Sequence, residues 1–185
     1  MALTPSNMIP LGTKAPDFEL PDTVSDKLLS LSELKSDKAT VIMFICNHCP
    51  YVKHVQRALV KLANDYIPRG VRFIAINSND IKKYPDDSPV NMKKVANDLG
   101  YPFPYLFDES QHVARVYDAA CTPDFYVFDK DLKLAYRGQM DDSRPGNGKP
   151  VTGKDIREAL DYVLAGKQVP EDQIPSMGCN IKWKN

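Results

Sequence analysis

Two cysteines separated by two residues, Cys46 and Cys49, have the types and spacing that indicate chemistry in this sequence. Two thiols about one helical turn apart can close a disulfide, and a C-x-x-C in an α/β chain indicates redox or metal chemistry. The continuous apolar run 39–45 predicts a strand buried on both faces. Apolar residues at three- and four-residue spacing over 52–66 predict a helix that runs to Pro68. The motif therefore lies where a strand gives way to a helix.

This position predicts different roles for the two thiols. Backbone N–H groups without partners and the positive end of the macrodipole stabilise a thiolate at a helix start, and they lower its pKa from about 8.5 to between roughly 3.5 and 7.5. We therefore expect Cys46 to be the nucleophile, and Cys49 to resolve a mixed disulfide by closing the Cys46–Cys49 bond. Between them, Asn47 and His48 tune the reaction. A protonated His48 would favour the thiolate, and a solvated loop histidine without a role is the alternative.

Composition limits the other functions that the chain could have. Its 185 residues are 43% hydrophobic and 26% charged, which fits one domain with its own core. Because 24 basic residues balance 24 acidic ones, neither nucleic acid nor an anionic membrane is expected as a partner. The first residues lack a basic segment followed by an apolar one, and no run reaches membrane-spanning length, so we expect a cytoplasmic protein. We expect protein or small-molecule thiols and disulfides as partners, an electron-donor reductase, and no cofactor.

The remaining pattern predicts an α/β fold with a central mixed β-sheet flanked by helices, in a single domain over residues 1–185. Residues 1–38 form an N-terminal extension with a small hairpin. The run 71–77 is a second buried strand, parallel to the first through a right-handed crossover. The polar loop 77–89 shows no residue with evident chemistry. The other predicted elements are helices at 90–99, 111–117 and 153–164, a strand at 104–107, an antiparallel pair at 125–128 and 132–137, and an irregular tail at 170–185.

Several segments, in order, resemble a known family. The opening Gly12–Leu20 resembles that of redoxins of the alkyl hydroperoxide reductase/thiol-specific antioxidant superfamily. Together, Cys46-Asn47-His48-Cys49-Pro50-Tyr51-Val52, Cys121–Phe125 and Gly178–Trp183 are similar to a peroxiredoxin-like thioredoxin family. The resemblance covers nearly the whole chain. It implies a thioredoxin-like fold with an N-terminal β-hairpin extension and a docked C-terminal tail.

The resemblance also implies which residues surround the two cysteines. The Thr122–Pro123 bond would be cis, and its loop would lie against the Cys46–Cys49 bond and offer backbone groups to a bound peptide or thiol. Pro50 would belong to the same active-site loop as Asn47 and His48.

Two further cysteines would then be candidates for a third redox thiol. Cys121 would lie near the active site, and a small buried core residue is its alternative role. Cys179 would resolve or protect the site if the tail folds back and Trp183 anchors it. An inert thiol on a docked tail is the alternative for Cys179.

Three functions compete on this basis, and the leading one is a thiol-disulfide oxidoreductase that cycles Cys46 and Cys49. The second is a thiol peroxidase in which Cys49, at the position of the peroxidatic cysteine, becomes a sulfenic acid that Cys46, Cys121 or Cys179 resolves. Against it, Ile42 and Cys46 replace the proline and threonine of the peroxidatic motif.

The third candidate function is a copper- or zinc-binding module. Its ligands would be Cys46, Cys49, His48, His54 and Cys121. No second C-x-x-C stands at zinc-finger spacing, so we expect no metal site. An unpaired edge of the sheet could also join two copies into a homodimer.

Overall fold

A five-stranded mixed sheet forms the centre of the protein in the computed structural model, which describes residues 3–184. Met1, Ala2 and Asn185, the ends of the predicted extension and tail, lie outside the described residues. The strands are β1 (Leu3–Pro5), β2 (Glu19–Pro21), β3 (Leu28–Ser30), β4 (Ala39–Phe44), β5 (Val71–Asn77), β6 (Tyr105–Phe107), β7 (Cys121–Thr122), β8 (Asp124–Asp129), β9 (Leu134–Gly138) and β10 (Met177–Asn180). The helices are α1 (Leu31–Leu34), α2 (Pro50–Tyr66), α3 (Pro89–Leu99), α4 (His112–Val116) and α5 (Lys154–Leu164), and 3₁₀ turns lie at Ile67–Arg69 and Pro85–Asp87.

Strand β4 lies in the middle of this sheet, whose order is β6-β5-β4-β8-β9. It pairs in parallel with β5 and antiparallel with β8, and β8 pairs antiparallel with β9. All six β4 residues are buried. Because side chains alternate along a strand, Val41 and Met43 enter the core on one face, and Ile42 and Phe44 enter the core on the other. The predicted mixed sheet, parallel crossover and antiparallel pair are confirmed.

Helices cover both faces of the sheet. The apolar stripes of α2, α3 and α5 belong to the core on one face. Helix α1, helix α4 and parts of the N-terminal segment belong to the core on the other face. This layered burial fixes the N-terminal end of α2 at the edge of the sheet where β4 ends. No helix among residues 3–184 is both long enough and apolar enough to cross a bilayer.

The N-terminal extension contains the predicted hairpin, formed by β2 and β3. Helix α1, a single turn, follows it directly. Ser30 and Glu33 stabilise its start as a capping box, in which the Ser30 N–H donates to the Glu33 carboxylate at 2.8 Å and the Glu33 N–H donates to the Ser30 hydroxyl at 3.4 Å.

The sequence predicts an irregular C-terminal tail, but part of the tail is a β-strand. Within 170–185, β10 is the middle strand of a second sheet of order β1-β10-β7. Gly178 permits this close approach, because a Cβ at this position would lie 2.0 Å from the Thr122 carbonyl oxygen. The predicted docking is confirmed, since Ile181 is buried and the Arg115 guanidinium lies 4.5 Å from the centre of the Trp183 ring.

Helix α2 depends on its buried stripe, so Leu59→Ala should destabilise the protein by about 2–5 kcal/mol through lost burial and a cavity. The matched control is Lys61→Ala in the same helix. Lys61 is exposed and pairs with Asp65 across one turn, so its loss should cost about 0.5 kcal/mol or less. Urea unfolding followed by far-ultraviolet circular dichroism measures both changes. Equal effects would contradict this account of the helix.

Candidate active site

Helix α2 begins at Pro50, with Cys49 as its N-cap residue. Cys46 lies in the loop after β4, so the expectation that Cys46 stands at the helix start is wrong. The physical reason was present in the sequence. Proline is favoured at the first helical position, because its fixed φ suits the helix and its missing N–H would have no partner there. The thiol that benefits from the helix N-terminus is therefore Cys49.

The hydrogen bonds around Cys49 favour its ionised form. The pKa of Cys49 is lowered to about 5, and a hydrogen bond from the Cys46 thiol is the main cause. Burial has the opposite effect. Hydrogen bonds from the Cys179 thiol and from the backbone of Val52 and Cys179 lower the pKa further. Val52 is at the third position of α2, where backbone N–H groups have no partner within the helix. These hydrogen bonds therefore favour the thiolate form of Cys49 in the reduced site.

Cys46 has the opposite electrostatic environment. Its hydrogen bond with Cys49, its burial and the charge of Asp87 all raise its pKa well above the ordinary value. The predicted low pKa of Cys46 is thus wrong for the reduced protein. The two thiols form a pair that holds one proton on Cys46 and the negative charge on Cys49.

The loop of Thr122 and Pro123 lies against both cysteines. The Thr122–Pro123 peptide bond is cis, as the resemblance implies. The Thr122 hydroxyl lies 3.3 Å from Cys46 Sγ, and the Thr122 carbonyl oxygen lies 3.3 Å from Cys49 Sγ. The structure therefore brings together the four residues that the sequence placed at the centre of the site.

A buried carboxylate that sequence reasoning missed holds the loop between the cysteines. Asp87 is fully buried and accepts hydrogen bonds from the Asn47 backbone N–H at 2.7 Å and from Asn79 Nδ2 at 2.8 Å. Its other contact is His48 Nδ1, at 2.6 Å. Asp87 comes from the loop that we expected to hold no chemistry. The signal was topological, because β4 and β5 are parallel and their carboxyl ends open onto the same edge of the sheet.

His48 is not a solvated loop histidine. Its side chain is 12% exposed, and its ring stacks on Tyr84 with the ring centres 4.9 Å apart. Among the described residues, its buried Nε2 atom has no hydrogen-bond partner. Asn47 is equally fixed, because its Nδ2 donates to the Asp86 carbonyl oxygen and its Oδ1 accepts from the Tyr105 hydroxyl. Both residues between the cysteines are therefore held in one arrangement.

The other two cysteines have different positions relative to the pair. Cys179 Sγ lies 2.7 Å from Cys49 Sγ, and burial is the main cause that raises the pKa of Cys179 to about 12. Cys121 Sγ lies 3.6 Å from the Pro123 carbonyl oxygen, and burial also raises the pKa of Cys121. The contacts of Cys121 favour its alternative as a small core residue, whereas Cys179 touches the reacting sulfur.

The structure does not bring together the predicted set of metal ligands. His54 Nε2 lies 3.2 Å from the Ser143 hydroxyl instead. Within residues 3–184, the group with metal-ligand spacing is Cys46, His48 and Asp87, whose ligand atoms lie within 4.8 Å of one another. Both Asp87 oxygens already accept hydrogen bonds from the surrounding loops. The Asp87 carboxylate therefore has hydrogen-bond partners for both oxygens without a metal ion.

Comparison with known proteins identifies, over most of the chain, the family that the sequence motifs resemble. The AhpC/TSA family model matches residues 11–137. An uncharacterized conserved protein from Geobacillus kaustophilus is similar over 100% of this chain and 97% of its own, with 66% identity and a TM-score of 0.98. No curated protein matches the sequence.

Two more distant structures share the fold. Peroxidoxin BcpB from Mycobacterium tuberculosis has 21% identity over 84% of this chain and 96% of its own, with a TM-score of 0.62. The thioredoxin domain of a thiol-disulfide oxidoreductase from Bacteroides vulgatus has 16% identity over 84% of this chain and 99% of its own, also with a TM-score of 0.62. The predicted thioredoxin-like fold is confirmed.

The reduced protein should lose one thiol proton near pH 5, because hydrogen bonds lower the pKa of Cys49. Because the pKa of Cys49 is lowered, its thiolate persists above that pH and is protonated as the pH falls through it. Thiolate absorbance and the rate of iodoacetamide alkylation, both followed against pH, measure this step.

Variants identify the group that titrates. Cys49→Ser should remove the step, and Cys46→Ala should move it to higher pH because the donated hydrogen bond is lost. Cys121→Ser is the matched control and should leave the step in place. A step that persisted in Cys49→Ser would show that another group carries the charge.

Proposed function

The chain belongs to the AhpC/TSA family, and we propose that within this family it is a thiol-disulfide oxidoreductase that cycles Cys46 and Cys49 between dithiol and disulfide. One observation carries the proposal. The two thiols share a hydrogen bond between the loop after β4 and the N-cap of α2, and the lowered pKa of Cys49 favours a nucleophilic thiolate on that residue. Such a pair can be oxidised by a disulfide substrate and restored by an external dithiol reductase.

The reaction follows from the charge distribution of the pair. The Cys49 thiolate attacks one sulfur of a substrate disulfide, forms a mixed disulfide and releases the first substrate thiolate. Cys46 then attacks Cys49, closes the Cys46–Cys49 bond and releases the second substrate thiolate. The Cys46 proton passes to the departing sulfur. In this order Cys49 is the nucleophile and Cys46 resolves, which reverses the roles that the sequence predicts.

Thr122 and Pro123 support this proposal as the contact surface for the reacting sulfurs. The Thr122 hydroxyl is within hydrogen-bond distance of Cys46, the sulfur with the raised pKa. A hydroxyl donor at this position would favour the Cys46 thiolate when it forms during resolution. The expected substrates are protein or small-molecule disulfides that can approach this loop.

Single-turnover reduction of a small aromatic disulfide tests the proposal. Because Cys179 contacts Cys49, all proteins carry Cys179→Ser, so that Cys179 cannot close a disulfide with Cys49. Adding Cys46→Ser should stop the reaction at a mixed disulfide on Cys49, and adding Cys49→Ser should reduce the rate by about 10³-fold or more, as expected for loss of a nucleophile.

Cys121→Ser in the same background is the matched control, and it should preserve both the rate and the Cys46–Cys49 bond. Mass spectrometry after acid quenching and thiol blocking identifies the bonds. Full release of both substrate thiols by the protein without Cys46 would refute the proposed cycle.

The low pKa of Cys49 also favours a second candidate function, peroxide reduction. The Cys49 thiolate would attack a peroxide oxygen and become a sulfenic acid, and a neighbouring thiol would condense with it to form a disulfide and water. This candidate stays second, because Cys46 occupies the position where the peroxidatic motif has a threonine.

We therefore expect the reduced protein to react more slowly with hydrogen peroxide than with a disulfide at equal concentration. Trapping of the sulfenate with dimedone, in protein that carries both Cys46→Ser and Cys179→Ser, measures the peroxide reaction at Cys49. A peroxide reaction faster than the disulfide reaction would make peroxidase the leading function.

A further inference from the structure

The C-terminal strand places a cysteine against the reacting pair. Cys179 lies opposite Thr122 in the antiparallel register of β10 with β7. Its sulfur is 2.7 Å from Cys49 Sγ, which is within about 1 Å of a covalent S–S bond of about 2.05 Å. Strand β10 thus pairs with the segment before Pro123 and presents its own thiol there, as a bound thiol-bearing peptide would.

Several contacts fix β10 in this position. Gly178 removes the side chain that would collide with the Thr122 carbonyl. The Ser176 hydroxyl donates to the Pro123 carbonyl oxygen at 2.7 Å, and the Ser176 N–H donates to the Ser6 hydroxyl at 2.8 Å. On its other edge β10 pairs with β1. Cys179 therefore approaches Cys49 on a strand held from both sides.

We propose that Cys179 is a third redox thiol, which takes Cys49 out of the Cys46–Cys49 disulfide by intramolecular exchange. The proposal rests on the proposed function, which supplies that disulfide. The Cys179 thiolate attacks Cys49 Sγ, the Cys49–Cys179 bond forms, and the Cys46–Cys49 bond breaks. Cys46 leaves as a thiolate and takes up the proton that Cys179 released. No electrons enter or leave, so the exchange needs no further oxidant.

The charges around Cys179 support exchange in the oxidised protein. After burial, the causes that raise the pKa of Cys179 are its hydrogen bond to Cys49 and the negative charge of Cys49. Both are absent once Cys49 is in a disulfide, because that sulfur is then neutral. The charge of Lys182 continues to favour the Cys179 thiolate. Oxidation of the pair thus removes two of the causes that raise the pKa of Cys179, while burial remains.

Through the exchange, the oxidised protein would exist in two forms that contain different disulfides. In one, Cys46 and Cys49 are joined within the active-site loop. In the other, Cys49 is joined to β10, and Cys46 is again a free thiol beside the Thr122 hydroxyl. Cys179 would therefore be a catalytic residue that resolves Cys49 in competition with Cys46.

Disulfide mapping tests this assignment. Reduced wild-type protein and Cys46→Ser are each oxidised with oxidised glutathione, quenched in acid, blocked with N-ethylmaleimide, digested and analysed by mass spectrometry. Wild-type protein should contain both Cys46–Cys49 and Cys49–Cys179 bonds. In Cys46→Ser, Cys179 should displace glutathione from Cys49, which leaves the Cys49–Cys179 bond and two equivalents of reduced glutathione.

Controls separate this proposal from the proposed function. Cys46→Ser with Cys121→Ser should still form the Cys49–Cys179 bond, whereas Cys46→Ser with Cys179→Ser should retain glutathione on Cys49. Persistent glutathione on Cys49 of Cys46→Ser, or only Cys46–Cys49 in the wild type, would overturn the role of Cys179 and leave the proposed cycle intact. Failure of the proposed cycle would instead appear in the Cys179→Ser background, as absence of the Cys46–Cys49 bond. Wild-type mapping does not depend on the folding of any variant.

Discussion

The site depends on one physical constraint, which is that a negative charge on a buried sulfur needs hydrogen-bond donors. Burial alone would keep the Cys49 thiol protonated. The start of α2 and the thiols of Cys46 and Cys179 supply the donors that reverse this preference. The remaining architecture positions these donors, because β4 leads into the cysteine loop and the buried stripe of α2 fixes the helix against the sheet.

Asp87 adds to the difference between the two sulfurs, after the hydrogen bond between them and the burial of Cys46. Its carboxylate fixes the Asn47 backbone and the His48 ring, and its charge opposes ionisation of Cys46. The same group thus holds the loop between the cysteines and contributes to the preference for a thiolate on Cys49. A buried carboxylate with these contacts links the geometry of the C-x-x-C to its reactivity.

The second sheet joins parts of the chain that are distant in sequence. Strand β10 lies between β1 and β7, and β7 leads into the cis Thr122–Pro123 bond beside the cysteines. These contacts join segments far apart in the chain, which the central sheet holds at one edge. The family match ends at residue 137, so β10 adds Cys179 to the site from beyond the region that the family model describes.

The sequence by itself determined the central architecture and the location of the site. Continuous apolar runs over 39–45 and 71–77 specify strands buried on both faces, and the spacing over 52–66 specifies an amphipathic helix, because these patterns are local. The tertiary structure decided that Asp87 and Cys179 reach the cysteines, and that Cys49 rather than Cys46 has the lowered pKa. No local pattern encodes the positions of Asp87 and Cys179 beside the cysteines, since these contacts join groups far apart in the chain. The sequence did contain a signal that Cys49 lies at the helix start, because Pro50 marks the first position of the helix that stabilises Cys49.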